Sequence, residues 1–139
     1  MAQRVGEVMT ANPVILDAGS PIADAARRMR DQGIGDVLVG DGGRLRGLVT
    51  DRDITVRAVA DGKDPRSTTL ADVCSDQIVS VRPDTPIEEA VRLMRERSIR
   101  RLPVVEDDRP VGVVAIGDLA IERDSDSALA DISAAPPNK

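Results

Sequence analysis

The chain has 139 residues, of which 41% are hydrophobic, and its formal net charge at pH 7 is −5. The acidic balance argues against general binding to nucleic-acid backbones. The absence of His, with only one Cys, argues against a His- or Cys-based metal cage or catalytic centre. No segment reaches the about 20 apolar residues of a membrane span, and no apolar signal segment is visible. We therefore expect a cytoplasmic, non-catalytic protein with no nucleic-acid or membrane partner.

The sequence repeats itself at an offset of 65 positions. Without a gap, residues 5–53 align with residues 70–118 in 14 identical pairs, among them Asp53 with Asp118. Such a repeat indicates two similar structural units. The resulting division is repeat 1 over 1–60, a polar linker over 61–69, repeat 2 over 70–124 and a disordered tail over 125–139.

Each repeat begins with the same predicted elements. A short helical turn is expected at Val5–Met9 and Leu70–Cys74, and a short strand at Val14–Leu16 and Val79–Val81. Cys74 aligns with Met9 in the other repeat, so we expect a buried, small apolar side chain. Next, Ser20-Pro21 and Thr85-Pro86 predict a helix N-cap followed by proline at the first helical position.

One apolar stripe runs along each predicted helix, at the i, i+3, i+4, i+7 spacing of an amphipathic helix. The stripes consist of Ile22, Ala25, Ala26 and Met29 and of Ile87, Ala90, Val91 and Met94. Gly33 predicts a C-cap, with Ser98 in its place in the second repeat. Two strands around a tight turn follow, at Asp41-Gly42-Gly43 or Asp107-Asp108, and a last helix begins at Thr50 or Ala115. The order β-α-β-β-α, present twice, predicts an α+β fold of two pseudo-symmetric repeats packed into one module.

The segment Thr50-Asp51-Arg52-Asp53 lies where a buried strand meets a helix, and it admits two interpretations. Thr50 and Asp53 match a capping box, in which hydroxyl and carboxylate bind the first amides of the helix. Alternatively, those amides bind a phosphate while the carboxylate accepts hydrogen bonds from ribose hydroxyls. The second repeat has Ala115 in place of the hydroxyl but retains Asp118. This retention favours a ligand role for the two carboxylates.

Together, these features resemble a tandem pair of CBS domains (the cystathionine-β-synthase type), called a Bateman module, of the stand-alone bacterial kind. The resemblance rests on the ungapped repeat, the Pro-Ile helix starts, the strand Ile-Arg-Arg-Leu-Pro-Val-Val and the ending Gly-Leu-Val-Thr-Asp-Arg-Asp, over about residues 5–123. It implies adenine-nucleotide binding, to AMP, ADP or ATP, in clefts between the repeats.

The resemblance also implies which residues line each cleft. In the main cleft Asp53 would hold the ribose hydroxyls, and Thr50 and Arg52 the phosphate side. Its other members would be Thr85, Ile99 against the base, Arg100, Arg101 for a longer phosphate chain, and the backbone of Val79. The second cleft would use Ser20, Ile34 and Asp118, but Ala115 and Asp36 make it the poorer phosphate binder.

Two functions remain open from the sequence. The first is a non-enzymatic sensor that binds an adenine nucleotide, forms a homodimer through its helices and acts on a target protein. No cofactor is required, no residue is assigned as a metal ligand or as catalytic, and any magnesium is expected to arrive with nucleotide phosphates. The second is a protein-interaction adapter that has kept the fold and lost the nucleotide.

Overall fold

The structure is a computed structural model that describes residues 3–75, 79–123, 132, 134 and 135. The predicted tail, 125–139, lies outside the described residues except at those last three positions. The described chain divides into two compact units. Unit I contains residues 3–13 with those from 79 onward, and unit II contains residues 14–75.

The secondary structure follows the predicted order in both repeats, which confirms the α+β fold. Repeat 1 contains a 3-10 turn at Val5–Glu7, β1 (Thr10–Ala11), β2 (Ile15–Asp17), α1 (Ile22–Gln32), β3 (Asp36–Asp41), β4 (Arg44–Thr50), α2 (Asp51–Ile54) and a π turn at Thr55–Val59. Repeat 2 contains α3 (Leu70–Val73), α4 (Ile87–Arg97), β5 (Arg101–Glu106), β6 (Arg109–Ala115) and α5 (Ile116–Arg123). Among the described residues, no helix has the length and apolarity needed to cross a membrane.

Each unit contains one three-stranded sheet. In unit II the order is β2-β3-β4, and in unit I it is β1-β6-β5. Both antiparallel hairpins shift register at equivalent positions, between Val39 and Gly40 and between Val104 and Val105. The predicted strand Val79–Val81 is reduced to one parallel bridge, from Val81 to Val104.

Each unit has its own aliphatic core, and the helix stripes line it as predicted. Ile22, Ala25 and Met29 are buried in unit II, where Cys74, only 4% exposed, confirms the expected small apolar side chain. The equivalent residues of α4 are Ile87, Ala90 and Met94, buried in unit I. Two members of the predicted stripes lie at its edge: Ala26 is exposed and Val91 half-buried. Their position follows from the helical period, which places i+4 off the centre of a stripe defined by i, i+3 and i+7.

We call residues 3–13 and 68–75, which precede the central part of repeat 1 and of repeat 2, the leading segments. Each leading segment completes the unit that holds the central part of the other repeat. In unit I, Val5 N–H donates to Thr85 O at 2.9 Å and Gly6 N–H to Pro83 O at 2.8 Å. In unit II, Leu70 N–H donates to Ser20 O at 2.9 Å and Ala71 N–H to Ala18 O at 3.0 Å. Since these bonds recur at the same offset of 65 positions, the exchange is a property of the repeat itself.

The same exchange changes the predicted helix starts. Pro21 and Pro86 have extended backbones and occupy the N-cap positions, so the prediction that they are the first helical residues is wrong by one position. Ser20 and Thr85 make no cap. Instead, the first helical amides bind the leading segments: Ile22 N–H donates to Thr68 O at 2.9 Å and Ile87 N–H to Gln3 O at 3.1 Å. A backbone carbonyl therefore satisfies the donor that a side chain was predicted to cap.

The repeated glycine of β4 and β6 leaves space for the leading segments. A Cβ at Gly112 would lie 2.6 Å from Met9 Sδ and 2.8 Å from Thr10 O. A Cβ at Gly47 would lie 3.1 Å from Ser75 O and 3.2 Å from Cys74 Sγ. This close approach explains why the glycine is present in both repeats.

Both long helices end in a left-handed residue, as predicted. Gly33 has φ 64° and Ser98 has φ 55°. The tight turns behave in the same way, because Asp107 and Asp108 have positive φ where Gly42 and Gly43 do. The non-glycine residues adopt a conformation that costs an L-residue about 1–2 kcal/mol.

The helix ends provide a matched pair of substitutions. Ser98→Gly should raise the free energy of unfolding by about 1 kcal/mol, because glycine accepts positive φ without steric cost. Gly33→Ser should lower it by a similar amount. Urea denaturation followed by far-UV circular dichroism measures both, and equal stability of all three proteins would contradict the strain.

Gly47 and Gly112, the repeated glycines of β4 and β6, provide a second prediction. Gly112→Ala should destabilise the protein by about 2 kcal/mol, because the new methyl group overlaps the Thr10 carbonyl. Gly47→Ala should cost less, since its nearest contacts are 3.1 Å or longer. The same unfolding assay ranks the two variants, and a larger loss at Gly47 would refute the described approach of the leading segments.

Candidate functional site

The start of α2 forms a complete capping box. Thr50 N–H donates to Asp53 Oδ2 at 2.9 Å, and Asp53 N–H donates to Thr50 Oγ1 at 3.1 Å. Asp53 is part-buried, with 20% of its side chain exposed. The capping interpretation of this segment is therefore confirmed, and the carboxylate is held in a defined position by backbone and hydroxyl groups.

The amides at the start of α2 are all hydrogen-bonded. Besides the two bonds of the capping box, Asp51 N–H donates to Gly35 O at 3.0 Å and Arg52 N–H to Asp51 Oδ1 at 2.8 Å. These amides therefore have partners in the structure without a ligand, and the predicted phosphate site made of helix amides remains a prediction. The polar groups that remain for an anion are side chains, namely the Thr50 hydroxyl hydrogen and the exposed Arg52 guanidinium.

The second repeat keeps half of the same box. Ala115 N–H donates to Asp118 Oδ2 at 2.8 Å, although no hydroxyl is present to complete the pair. Burial raises the pKa of Asp118 above its ordinary value, and the Ala115 hydrogen bond opposes part of that rise. Because this bond alone gives the carboxylate a structural role, its retention in both repeats does not require a ligand. A ligand role of the two carboxylates therefore remains a prediction.

Sequence reasoning missed Arg57, which lies next to Asp53. Its Nε is 4.0 Å from Asp53 Oδ1, and its Nη1 donates to Val73 O at 3.2 Å. The i, i+4 spacing of an acid and an arginine on a helix was the available signal. The contact to Val73 has no signal in the sequence, since it joins residues 16 positions apart.

The other predicted ligand residues divide between the units. Ser20, Ile34, Thr50, Arg52 and Asp53 belong to unit II, while Val79, Thr85, Ile99, Arg100, Arg101 and Asp118 belong to unit I. Unit I brings Arg100 to the start of α5, where Arg100 O accepts from Ile116 N–H at 2.9 Å. Thr85 Oγ1 already accepts from Arg82 N–H at 2.9 Å, although its hydroxyl hydrogen can still donate. The predicted ligand set that joins Asp53 with Thr85, Ile99 and Arg100 remains a prediction.

Acidic side chains in the described part of the chain do not gather into a metal centre. No three His, Cys, Asp or Glu side chains of that part are placed to hold an ion. Asp107 and Asp108 form the tight turn between β5 and β6, as predicted.

The two repeats match a known family. The CBS domain family model matches residues 5–59 and 70–124. The chain is 38% identical over 133 residues to the CBS domain-containing protein YhcV of Bacillus subtilis, a match that covers 93% of this chain and 94% of YhcV. It is also 35% identical over 115 residues to Hypoxic response protein 1 of Mycobacterium tuberculosis, with 82% and 80% covered.

Solved structures share the fold. The crystal structure of Hypoxic Response Protein I with two coordinated zinc ions aligns with a TM-score of 0.77 at 33% identity, covering 84% of this chain and 96% of that one. The CBS domain pair of MJ0100, in complex with 5-methylthioadenosine and S-adenosyl-L-methionine, aligns with a TM-score of 0.80 at 24% identity, covering 89% and 98%. The repeat, the paired helix starts and these matches establish that this chain belongs to the CBS domain family, as a tandem CBS pair.

Proposed function

We propose that this CBS pair, a regulatory module by family, acts without catalysis and binds an adenine nucleotide, with Asp53 as the ligand of the ribose hydroxyls. The observation that carries the proposal is the fixed Asp53 carboxylate. Its Oδ2 is anchored by Thr50 N–H at 2.9 Å, while Oδ1 lies 4.0 Å from Arg57, beyond hydrogen-bond distance. A carboxylate held in this way keeps acceptor capacity for two neighbouring hydroxyl groups.

The remaining contacts of the ligand are proposed from the family resemblance. Thr50 and Arg52 would bind the first phosphate through side chains alone, because the amides of α2 are occupied. Ile99 would pack on the base, Val79 would offer backbone groups to the adenine edge, and Thr85, Arg100 and Arg101 would complete the set. The MJ0100 pair, which shares the fold, holds two ligands that contain an adenosyl group.

Charge supports Asp53 over Asp118 as the stronger site. Two arginines, Arg52 and Arg57, lie on the helix of Asp53, whereas the equivalent positions near Asp118 are Gly117 and Glu122. Burial also makes the ionised form of Asp118 costly, as its raised pKa shows. We therefore expect the Asp118 position to take a ligand with less negative charge.

The adapter is the second candidate, and one observation favours it: the capping bonds account for both carboxylates without a ligand. Either function is compatible with a homodimer that forms through the last helical segment of each repeat. Apolar side chains are exposed there in each unit, at Val56 and Val59 and at Ile116 and Ile121. Hexameric assembly occurs in a structural relative, the CBS-CP12 protein of bloom-forming cyanobacteria.

Nucleotide titration by isothermal calorimetry tests the proposal. AMP, ADP and ATP should bind saturably, and GMP should not. Asp53→Asn should weaken binding about 30-fold or more, because the amide retains an acceptor for Thr50 N–H but removes the charge that binds the diol.

Asp64→Asn is the matched control. Asp64 is an exposed carboxylate of the same unit that also binds a backbone amide, since Arg66 N–H donates to Asp64 Oδ1 at 2.9 Å. It belongs to no predicted ligand set and lies outside residues 70–75. This variant should bind nucleotides like the wild type. Absence of saturable heat from folded wild-type protein would favour the adapter, and equal losses in both variants would assign Asp53 a structural role only.

Asp118 and Asp72 are expected to make opposite contributions to the pH dependence of stability. The raised folded-state pKa of Asp118 means that the free energy of unfolding falls as pH rises from about 4 through that pKa. Hydrogen bonds from Thr69 lower the pKa of Asp72, so its contribution is present above about pH 4 and is lost as pH falls through its folded-state value.

Urea unfolding between pH 3 and 7 checks the signs. Relative to wild type, Asp118→Asn should gain stability with rising pH, whereas Asp72→Asn should lose it. Parallel pH curves for the two variants would show that burial does not set the charge state of Asp118.

A further inference from the structure

The Arg57 side chain joins Asp53 to the leading segment of repeat 2. Its Nη1 donates to the carbonyl oxygens of Val73 at 3.2 Å and Cys74 at 3.4 Å. Its Nε faces Asp53 Oδ1 at 4.0 Å, one helical turn earlier in the chain. The Arg57 guanidinium therefore faces the Asp53 carboxylate and donates to two carbonyl groups at the end of α3.

Arg57 lies in the π turn at Thr55–Val59, which follows α2. Ala60 N–H donates to Thr55 O at 2.9 Å and Lys63 N–H to Ala58 O at 3.0 Å, both across five residues. Such π turns are rare and frequently mark functional positions. The described part of α5 continues as an α-helix to Arg123, and Glu122 takes the position of Arg57 in repeat 2. In the described residues, this arrangement is specific to the helix of Asp53.

We infer that Arg57 is a positioning residue of the Asp53 site. Thr50 N–H fixes one carboxylate oxygen, and the guanidinium, clamped on Val73 and Cys74, fixes the direction of the other. The distance of 4.0 Å leaves that oxygen able to accept a hydroxyl group. The orientation of the carboxylate thus depends on the packing of residues 70–75 against β4. The nature of the ligand rests on the proposed function, whereas the coupling does not.

Cys74 reports on this packing. It is the only cysteine of the chain, it is 4% exposed, and its carbonyl oxygen accepts from Arg57. Its Sγ would lie 3.2 Å from a Cβ placed on Gly47, so the thiol packs directly on β4. A thiol reagent can reach it only when residues 70–75 open locally, and the reaction rate measures that opening.

The test is a double-mutant cycle of Cys74 reaction with Ellman's reagent, without nucleotide. Arg57→Gln should accelerate the reaction about 10-fold, because two charge-assisted hydrogen bonds are lost. Asp53→Asn should accelerate it less, and the double variant should react no faster than Arg57→Gln. Arg28→Gln, at an exposed position of α1, is the control and should react at the wild-type rate. Arg57→Lys should be intermediate, and it replaces Arg57→Gln in the cycle if circular dichroism shows the latter unfolded.

Two results would overturn the inference: a wild-type rate for the arginine variant, or effects of Asp53 and Arg57 that multiply. A second arm adds AMP, which should slow the reaction in the wild type and bind Arg57→Gln about 10-fold more weakly. Equal AMP affinity in both proteins would also refute positioning. A coupled cycle in a protein that binds no nucleotide would retain Arg57 as the link between Asp53 and residues 70–75 while refuting the proposed function.

Discussion

The exchange of leading segments is the constraint from which much of the local structure follows. Val5 and Leu70 are completely buried. Val5 N–H donates to Thr85 O, just before α4, and Leu70 N–H donates to Ser20 O, just before α1. The first amides of α1 and α4 are satisfied by carbonyl groups from the same segments. Since a buried backbone donor without a partner is costly, neither helix start is complete without the exchanged segment. The repeats seen in the sequence are therefore not the units seen in space.

The carboxylates after β4 and β6 have the same structural role in both repeats. In both repeats one oxygen accepts from the N–H of the last strand residue, immediately before the following helix, at 2.9 and 2.8 Å. That hydrogen bond stabilises the strand-to-helix turn, typically by about 1 kcal/mol. The other oxygen meets Arg57 in one repeat, and the sequence places Glu122 at the equivalent position in the other. The symmetry of the fold thus leaves room for different charge at two equivalent positions.

This difference bears on the choice between a sensor and an adapter. A protein-interaction adapter would not require the π turn that places Arg57 between Asp53 and the carbonyl groups of Val73 and Cys74. A module that binds a ligand at Asp53 would use that link, because occupancy of the carboxylate would be felt by the packing of residues 70–75. Membership of the CBS family is compatible with both, so the functional question lies in these few contacts.

The sequence by itself determined the duplication, the order of elements, the apolar faces of α1 and α4 and the left-handed helix ends at Gly33 and Ser98. These follow from local rules, in which the period of a helix, the turn chemistry of glycine and an ungapped repeat act over short distances. It also placed the capping box at Thr50 and Asp53, but could not tell that box from a phosphate site, because both need the same residues. Only the tertiary structure decided which partners these amides have, namely Gly35 O for Asp51 N–H and Asp51 Oδ1 for Arg52 N–H. It also decided which segment completes which unit and where Arg57 reaches, since those contacts join residues far apart in the chain, and no local pattern encodes them.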